Sequence, residues 1–200
     1  MSFALPSLPY PDSALEPYIS ARALRIHHDE LQQKYVTRLN VLLRGTPFDQ
    51  LPLEQLIVDP PEQEIFDNAA QVWNHTFLWH SMMPKGGKTP ARSSGFARAL
   101  TAYGSHESFK RLFRETAKDV FGSGWVWLAA DATGNVVVWV GKDADNPMRY
   151  GHRPLLVLDM WEHAYFLNYE ADRNAYVDAF LDHLVNWRFA EANYERAFGA

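Results

Sequence analysis

Apolar residues recur at steps of three and four between residues 20 and 43, which is the spacing of one face of a helix. This face consists of Leu24, His27, Leu31, Tyr35, Leu39 and Leu42. Ser20 belongs to the residue types that cap helix N-termini, and Gly45 to those at which helices end. The pattern predicts one long helix over residues 20–43, with a histidine on its apolar face.

A second helical pattern begins near Pro61 and carries Phe66, Gln71, His75 and Trp79. It ends at residues 83–95, MPKGGKTPARSSG, because Pro, Gly and Ser interrupt helices. We take that stretch as a domain boundary and predict a helical hairpin domain over residues 1–88 and an α/β domain over residues 89–200. Two helices are too thin to bury their inner face alone, so the hairpin must pack on the second domain.

The second half begins with helical spacing and then becomes rich in Val and Trp, which favour strands. We predict two helices, three strands and one closing helix, over residues 94–103, 106–120, 125–131, 135–140, 154–161 and 175–197. Ala132-Thr133-Gly134 is typical of a hairpin turn. The predicted fold class is α+β: an N-terminal α-helical hairpin packed on a C-terminal domain with a three-stranded antiparallel sheet and helices.

Composition narrows the function. The 200 residues are 47% hydrophobic, enough for a sizeable core, and they include no Cys and eight His. Any metal must therefore be held by imidazoles and carboxylates. The net charge of -5, with no cluster of Lys and Arg, argues against nucleic-acid binding. The N-terminus reads as neither signal peptide nor membrane span, so we expect a cytoplasmic protein without membrane or nucleic-acid partners.

Four residues have the chemistry of a metal site. Asp159 and His163 lie four apart where a strand gives way to a helix, so their side chains can point to one place. A single His on an apolar helix face is more often a core residue than a ligand. Three imidazoles with one carboxylate and no thiol are, however, a donor set that suits iron or manganese.

The segment DMWEHAY (159–165) resembles the DxWEHAY signature of the iron/manganese superoxide dismutases. Further blocks agree in order and spacing: FALPSLPY (3–10), VTRLN after the first helical histidine, NAAQVWNHTFLWH (68–80) and FGSGWVWL (121–128). The likeness runs from Phe3 to the end of the last helix.

This resemblance implies a metal held by four ligands, with water or hydroxide in the fifth position: His27, His75, Asp159 and His163. It implies one iron per subunit, with manganese possible, conversion of superoxide to oxygen and hydrogen peroxide, and a homodimer. Iron is favoured because Gln71 lies on the helix of the second histidine, while Ala144 stands where manganese types supply a glutamine.

The resemblance also assigns roles around the metal. Tyr35 and Trp125 match aromatic residues that narrow the channel, Tyr35 linking Gln71 to solvent, and Glu162 matches a residue that reaches the partner's last histidine ligand. The remaining matches are Asn74 and Arg173 near the channel, and Trp73, Trp127 and Trp161 in the wall of the site. No ligand position matches His28, His80, His106, His152 or His183.

The chain departs from the family at Leu31 and Phe166. Much of the family has a histidine and a partner-subunit tyrosine there, joined by a hydrogen bond, and replacing both polar groups together can be nearly neutral. One alternative is a metal-binding dimer of this fold with weak dismutase activity and a structural or regulatory role. Another is a non-haem iron oxygenase, which needs more open metal positions and a substrate pocket.

Overall fold

A computed structural model describes residues 2–90 and 94–199. The first helical segment consists of α1 (Ala21–Arg25), a π-helical turn (Ile26–Gln32) and α2 (Gln33–Leu43). Ser20 caps it, its Oγ accepting the Ala23 N–H at 3.2 Å. The predicted bounds of 20–43 are therefore confirmed.

The π-helical turn moves the buried face of this segment. A π-helix takes more residues per turn than an α-helix, so the side chains after it are rotated relative to an α-helical pattern. Leu24, His27 and Leu39 are buried as predicted. Leu31, Tyr35 and Leu42 of the predicted face are half-buried. Further buried positions in this segment are His28, Gln32, Val36 and Leu43.

The helical half continues with α3 (Leu53–Val58), which was not predicted, and α4 (Gln63–Ser81). Leu56 and Ile57 of α3 are fully buried against residues of α2 and α4, including Leu39 and Phe66. The same cluster includes Ala144 from the second half of the chain, so the helical half buries its inner face together with the second half, as expected.

The second half contains α5 (Gly95–Leu100), α6 (His106–Asp119), the strands β1 (Gly124–Ala130), β2 (Val136–Lys142) and β3 (Arg153–Asp159), and the helices α7 (Glu162–Tyr169), α8 (Arg173–Ala179) and α9 (Trp187–Phe198). Short 3-10 turns lie at Thr101–Tyr103 and Pro147–Tyr150. The strands form one antiparallel sheet in the order β2-β1-β3, with Trp125 paired to Asp159. The predicted α+β architecture is confirmed.

The prediction of one closing helix over residues 175–197 was wrong. The chain forms α8, a π-helical turn (Phe180–Leu184) and, after a break, α9. At the break, the Asn186 N–H donates to the Ser81 carbonyl at 2.9 Å and the Gly87 N–H donates to the Val185 carbonyl at 3.0 Å. Hydrogen bonds to the end of α4 thus replace helical ones, and the Asn186 side chain caps α9.

Gly86 and Gly87 allow this junction to form. A Cβ on Gly87 would lie 1.9 Å from the Asp182 carbonyl oxygen, and one on Gly86 would lie 2.5 Å from the Leu184 carbonyl carbon. These glycines, which lie in the loop after α4, are therefore points of close backbone packing. The boundary at residues 88 and 89 stays a prediction, and residues 91–93 of the proposed boundary stretch lie outside the described residues.

Across the described ranges, 2–90 and 94–199, no helix combines the length and apolar character required to cross a bilayer.

Candidate metal centre

Four side chains from four separate elements converge at the interface of the helical half and the sheet. His27 comes from the π-helical turn, His75 from α4, Asp159 from the end of β3 and His163 from the first turn of α7. Their nearest ligand atoms all lie within 4.8 Å of one another. Oδ2 of Asp159 lies 3.2, 3.8 and 3.1 Å from the Nε2 atoms of His27, His75 and His163, respectively.

Neighbouring backbone groups orient these donors. Nδ1 of His75 lies 2.7 Å from the Gln71 carbonyl, which can only accept, so Nδ1 carries the proton and Nε2 presents a lone pair. The Trp161 N–H donates to Oδ1 of Asp159 at 2.8 Å, leaving Oδ2 for the centre. Nε2 of His27 and Nε2 of His75 are buried without a hydrogen-bond partner. Buried unpaired lone pairs that converge on one point are the arrangement a cation would satisfy.

Burial sets the protonation of this cluster. Desolvation, together with His27 and His163 nearby, lowers the pKa of His75 to about 3, and desolvation also lowers the pKa of His27. Burial pushes the pKa of Asp159 up, but the close contacts of its carboxylate with His163 and His27 hold this pKa well below its usual range. Neutral imidazoles beside an ionised carboxylate are the state that metal binding requires. The cluster suits one metal ion.

Aromatic rings enclose the centre. The Trp79 ring lies 4.8 Å from the His27 ring, and the Trp125 ring lies 5.0 Å from the His75 ring, edge to face. Tyr35 lies 5.6 Å from His75. Aromatic rings thus shield the centre from solvent on the side of His27 and His75.

Trp79 has a role that sequence reasoning missed. Its Nε1 donates to Oε1 of the fully buried Gln32 at 2.7 Å, and Gln32 in turn donates to the Val72 carbonyl and to Oγ1 of Thr76. This network joins the π-helical turn of His27 to α4. The signal for Trp79 was its spacing of four from His75, which places both on one helix face.

The chain resembles known proteins over nearly its whole length. The iron/manganese superoxide dismutase alpha-hairpin domain matches residues 2–83, and the C-terminal domain of the same enzymes matches residues 94–193. A protein named superoxide dismutase [Fe] from Coxiella burnetii is 46% identical to this chain, over 98% of this chain and 100% of the relative. One of the same name from Legionella pneumophila is 45% identical, over 96% of this chain and 99% of the relative. A relative of the same name from Salmonella typhimurium is 44% identical, over 96% of this chain and 98% of its own length.

The chain belongs to the iron/manganese superoxide dismutase family.

Two residues that the family resemblance connects with metal choice line one cavity. Gln71 and Ala144 share a cavity of about 480 Å³ with Tyr35 and Trp161. Oε1 of Gln71 is buried without a hydrogen-bond partner. Burial, and secondarily the Asp159 charge, raise the pKa of Tyr35.

Asn74, which the family resemblance matches to a residue near the channel, is fully buried. Its Nδ2 donates to the Ala144 carbonyl at 3.1 Å, and its Oδ1 accepts from Nδ2 of Asn146 at 2.8 Å. Asn74 therefore fixes the loop that carries Ala144.

The tryptophans expected in the wall of the site divide into two groups. Trp161 stacks on His163 at 5.6 Å and donates from Nε1 to the Asp143 carbonyl. The rings of Trp73 and Trp127 contact Phe77 and other tryptophans. Among the described residues they have no ring contact with a ligand histidine, so they lie behind the residues that contact the ligands.

A second cavity, of about 320 Å³, opens beside His163 and is also lined by Glu162 and Arg173. The Arg173 guanidinium donates to the Val120 carbonyl at 2.8 Å, so its charge is fixed at the edge of this cavity. Glu162 is exposed. Phe166 is 54% exposed, and Leu31 is half-buried.

The other five histidines lie outside the four-residue cluster, as the family resemblance implies: His28, His80, His106, His152 and His183.

Proposed function

We propose that this chain is a superoxide dismutase that uses one iron ion per subunit, held by His27, His75, Asp159 and His163. The observation that carries the proposal is the convergence of three imidazole nitrogens and one carboxylate oxygen on one buried point. Bound iron would take an electron from one superoxide and return it to a second. The products are oxygen and, with two protons, hydrogen peroxide.

The protein contributes a centre with a fixed charge. Asp159 supplies one negative charge and the imidazoles supply none, so a trivalent ion with one hydroxide leaves a small net positive charge. Burial of His27, His75 and Asp159 keeps bulk water from competing for these donors. A superoxide anion is attracted to this centre, and Arg173 adds a positive charge beside His163.

We assign proton handling to Tyr35 and Gln71. The phenol of Tyr35 is protonated at neutral pH, and burial raises its pKa further, so the hydroxyl can donate a hydrogen bond. Gln71 supplies an amide with an unpaired buried oxygen in the cavity that Tyr35 also lines. Because this glutamine lies on α4 beside Ala144, iron is the preferred metal and manganese a possible substitute.

Trp125 positions the second ligand. It is fully buried, and its edge-to-face contact with His75 limits rotation of the imidazole and excludes water from that side.

We also propose a homodimer in which Glu162 reaches His163 of the other subunit. Support comes from exposed apolar side chains near Glu162: Phe121 is 96% exposed, Phe166 54% and Leu167 49%. Such side chains mark interaction surfaces when they cluster. We further propose that the protein is cytoplasmic. We also propose that it has two domains, residues 1–88 and 89–200, with the metal site between them.

The test is reloading of metal-free protein with iron, manganese or zinc, followed by metal analysis and a superoxide-dependent assay. Iron-loaded protein is expected to be much more active than manganese-loaded protein, and zinc-loaded protein inactive, since zinc has no redox chemistry. Equal iron and manganese activities would contradict the iron preference. Inactivity with every metal would favour the metal-binding dimer, which the names of the relatives do not support. Oxygen consumption with an organic co-substrate would favour an oxygenase.

A further inference from the structure

Three indole rings form a line that leads away from the metal centre. Trp125 contacts His75 at 5.0 Å between ring centroids, Trp127 lies 6.4 Å from Trp125, and Trp73 lies 6.1 Å from Trp127. Trp125 and Trp127 stand two apart on β1 and so share one face of the sheet. Trp73 comes from α4, two residues before His75. Rings this close exchange electrons readily, because electron tunnelling weakens steeply with distance.

The two ends of the line differ in burial and in proton acceptors. Trp125 and Trp127 are fully buried, and their Nε1–H groups have no hydrogen-bond partner. Trp73 is half-buried, and its Nε1 donates to Oε1 of Glu54 at 3.0 Å.

This difference gives the line a direction. An indole that loses an electron becomes a cation whose Nε1–H is strongly acidic. Burial disfavours that cation at Trp125 and Trp127, and neither has a base to take the proton. At Trp73 the Glu54 carboxylate can take it, so the oxidised state is most stable at the outer end.

The other tryptophans that touch the centre lack such an outlet. Nε1 of Trp79 donates to the amide oxygen of Gln32, and Nε1 of Trp161 donates to a backbone carbonyl. Among the hydrogen bonds within residues 2–90 and 94–199, Trp73 is the tryptophan that donates to a carboxylate.

We propose that Trp125, Trp127 and Trp73 form an electron-transfer chain that carries an oxidising equivalent from the metal centre to the surface at Glu54. This inference rests on the proposed function, because the source of the oxidant is hydrogen peroxide, the product of dismutation. This electron-transfer chain protects the metal ligands, because an oxidant that forms beside His75 otherwise reacts with the nearest side chains.

The chemistry balances as follows. Iron held by His27, His75, Asp159 and His163 and reduced by superoxide would supply one electron to hydrogen peroxide, whose O–O bond would break to yield hydroxide and a hydroxyl radical. The radical takes one electron from Trp125 and one proton from solvent and becomes water. Trp127 refills Trp125, Trp73 refills Trp127, and oxidised Trp73 passes its Nε1 proton to Glu54. A thiol or ascorbate in solution then returns a hydrogen atom to the neutral Trp73 radical.

The test treats protein loaded with ferrous iron, in the absence of air and of any further reductant, with hydrogen peroxide and maps oxidised tryptophans by peptide mass spectrometry. In the unmodified chain, oxidation should be concentrated at Trp73. In Trp73→Phe it should shift severalfold to Trp125, Trp127 and the ligand histidines. Glu54→Gln, which keeps an acceptor but removes the base, should shift it in the same direction. Trp139→Phe is the control for another half-buried tryptophan. Trp139 lies opposite Trp127 on the neighbouring strand, but its ring contacts Tyr150 and has no ring contact with Trp73, Trp125 or Trp127, so this change should leave the pattern unchanged.

Either of two results would overturn the proposed electron-transfer chain. One is that Trp73 is no more oxidised than Trp139 in the unmodified protein. The other is that the oxidation pattern is unchanged in both Trp73→Phe and Glu54→Gln. Circular dichroism and iron content show whether each variant is folded and loaded, and Glu54→Gln keeps the indole if Trp73→Phe fails to fold. Metal-free protein should show no such pattern. Peroxide is added directly, so the map is independent of dismutase activity; loss of iron binding, seen by metal analysis beforehand, would overturn the proposed function as well.

Discussion

Replacing Gly87 by Ala tests the junction of α4 with residues 180–184, where the loop after α4 packs on the π-helical turn. Gly87 has φ +78°, and an added Cβ would lie 1.9 Å from the Asp182 carbonyl oxygen and 2.7 Å from the His183 nitrogen. Gly45 is a matched control, because it has φ +73° and no heavy atom within 4 Å of the same Cβ position.

Both substitutions carry the cost of a left-handed backbone with a side chain, about 1–2 kcal/mol. Only Gly87→Ala adds steric overlap with backbone, which cannot rotate away as a side chain can, and overpacking costs a further ~1–3 kcal/mol. We therefore expect a loss of about 1–2 kcal/mol for Gly45→Ala and about 2–5 kcal/mol for Gly87→Ala.

The free energy of unfolding is measured in urea on metal-free protein, because bound metal adds stability to the native state by mass action. Comparison of the slopes of the unfolding curves shows whether each variant keeps the same change in exposed surface. Equal losses for the two variants would show that the junction of α4 with residues 180–184 yields to a methyl group, and the account of Gly87 as a packing point would be wrong.

Further predictions concern the centre and the subunit contact. His75→Ala and Asp159→Ala should each abolish metal retention, measured by metal analysis, while the chain stays folded; a fully active variant would contradict the ligand assignment. Because burial lowers the pKa of His75 from 6.5 to about 3, the unfolded chain binds a proton that the folded metal-free chain does not. Stability should therefore fall below about pH 6.5, by at most ~1.4 kcal/mol per pH unit for this group, and His75→Gln should flatten that slope. Leu31→His and Phe166→Tyr should each weaken the dimer, with a coupling energy of about 0.5–3 kcal/mol in the double variant; simple additivity in dimer dissociation would show that the side chains do not meet.

Local spacing and residue type were enough to predict most elements. Ser20 caps the first helical segment as expected, and the three strands lie within two residues of their predicted bounds. These features depend on neighbours in sequence, which the pattern records directly. The break before α9 depends instead on the hydrogen bond that the Asn186 N–H donates to the Ser81 carbonyl. This bond joins segments distant in sequence, so no local pattern can predict it.

The donor set could likewise be predicted, but not its orientation. The resemblance of segments such as DMWEHAY to the iron/manganese superoxide dismutases implied the four ligands that the structure brings together: His27, His75, Asp159 and His163. The π-helical turn that presents His27 has no signature in the helical spacing. The role of Asn74 was also out of reach, because its partners belong to a loop seventy residues away along the chain.

The origin of the four donors in four separate segments has a consequence for biosynthesis. His27 and His75 leave the ribosome early, while Asp159 and His163 follow only after the whole helical half and most of the sheet have been made. A nascent chain can therefore offer a metal only two of the four donors of this site until Asp159 has been made, and the complete site must await contacts between distant segments, which form slowly. Selection among iron, manganese and other ions is thus a property of the finished chain and of the metals present when it folds.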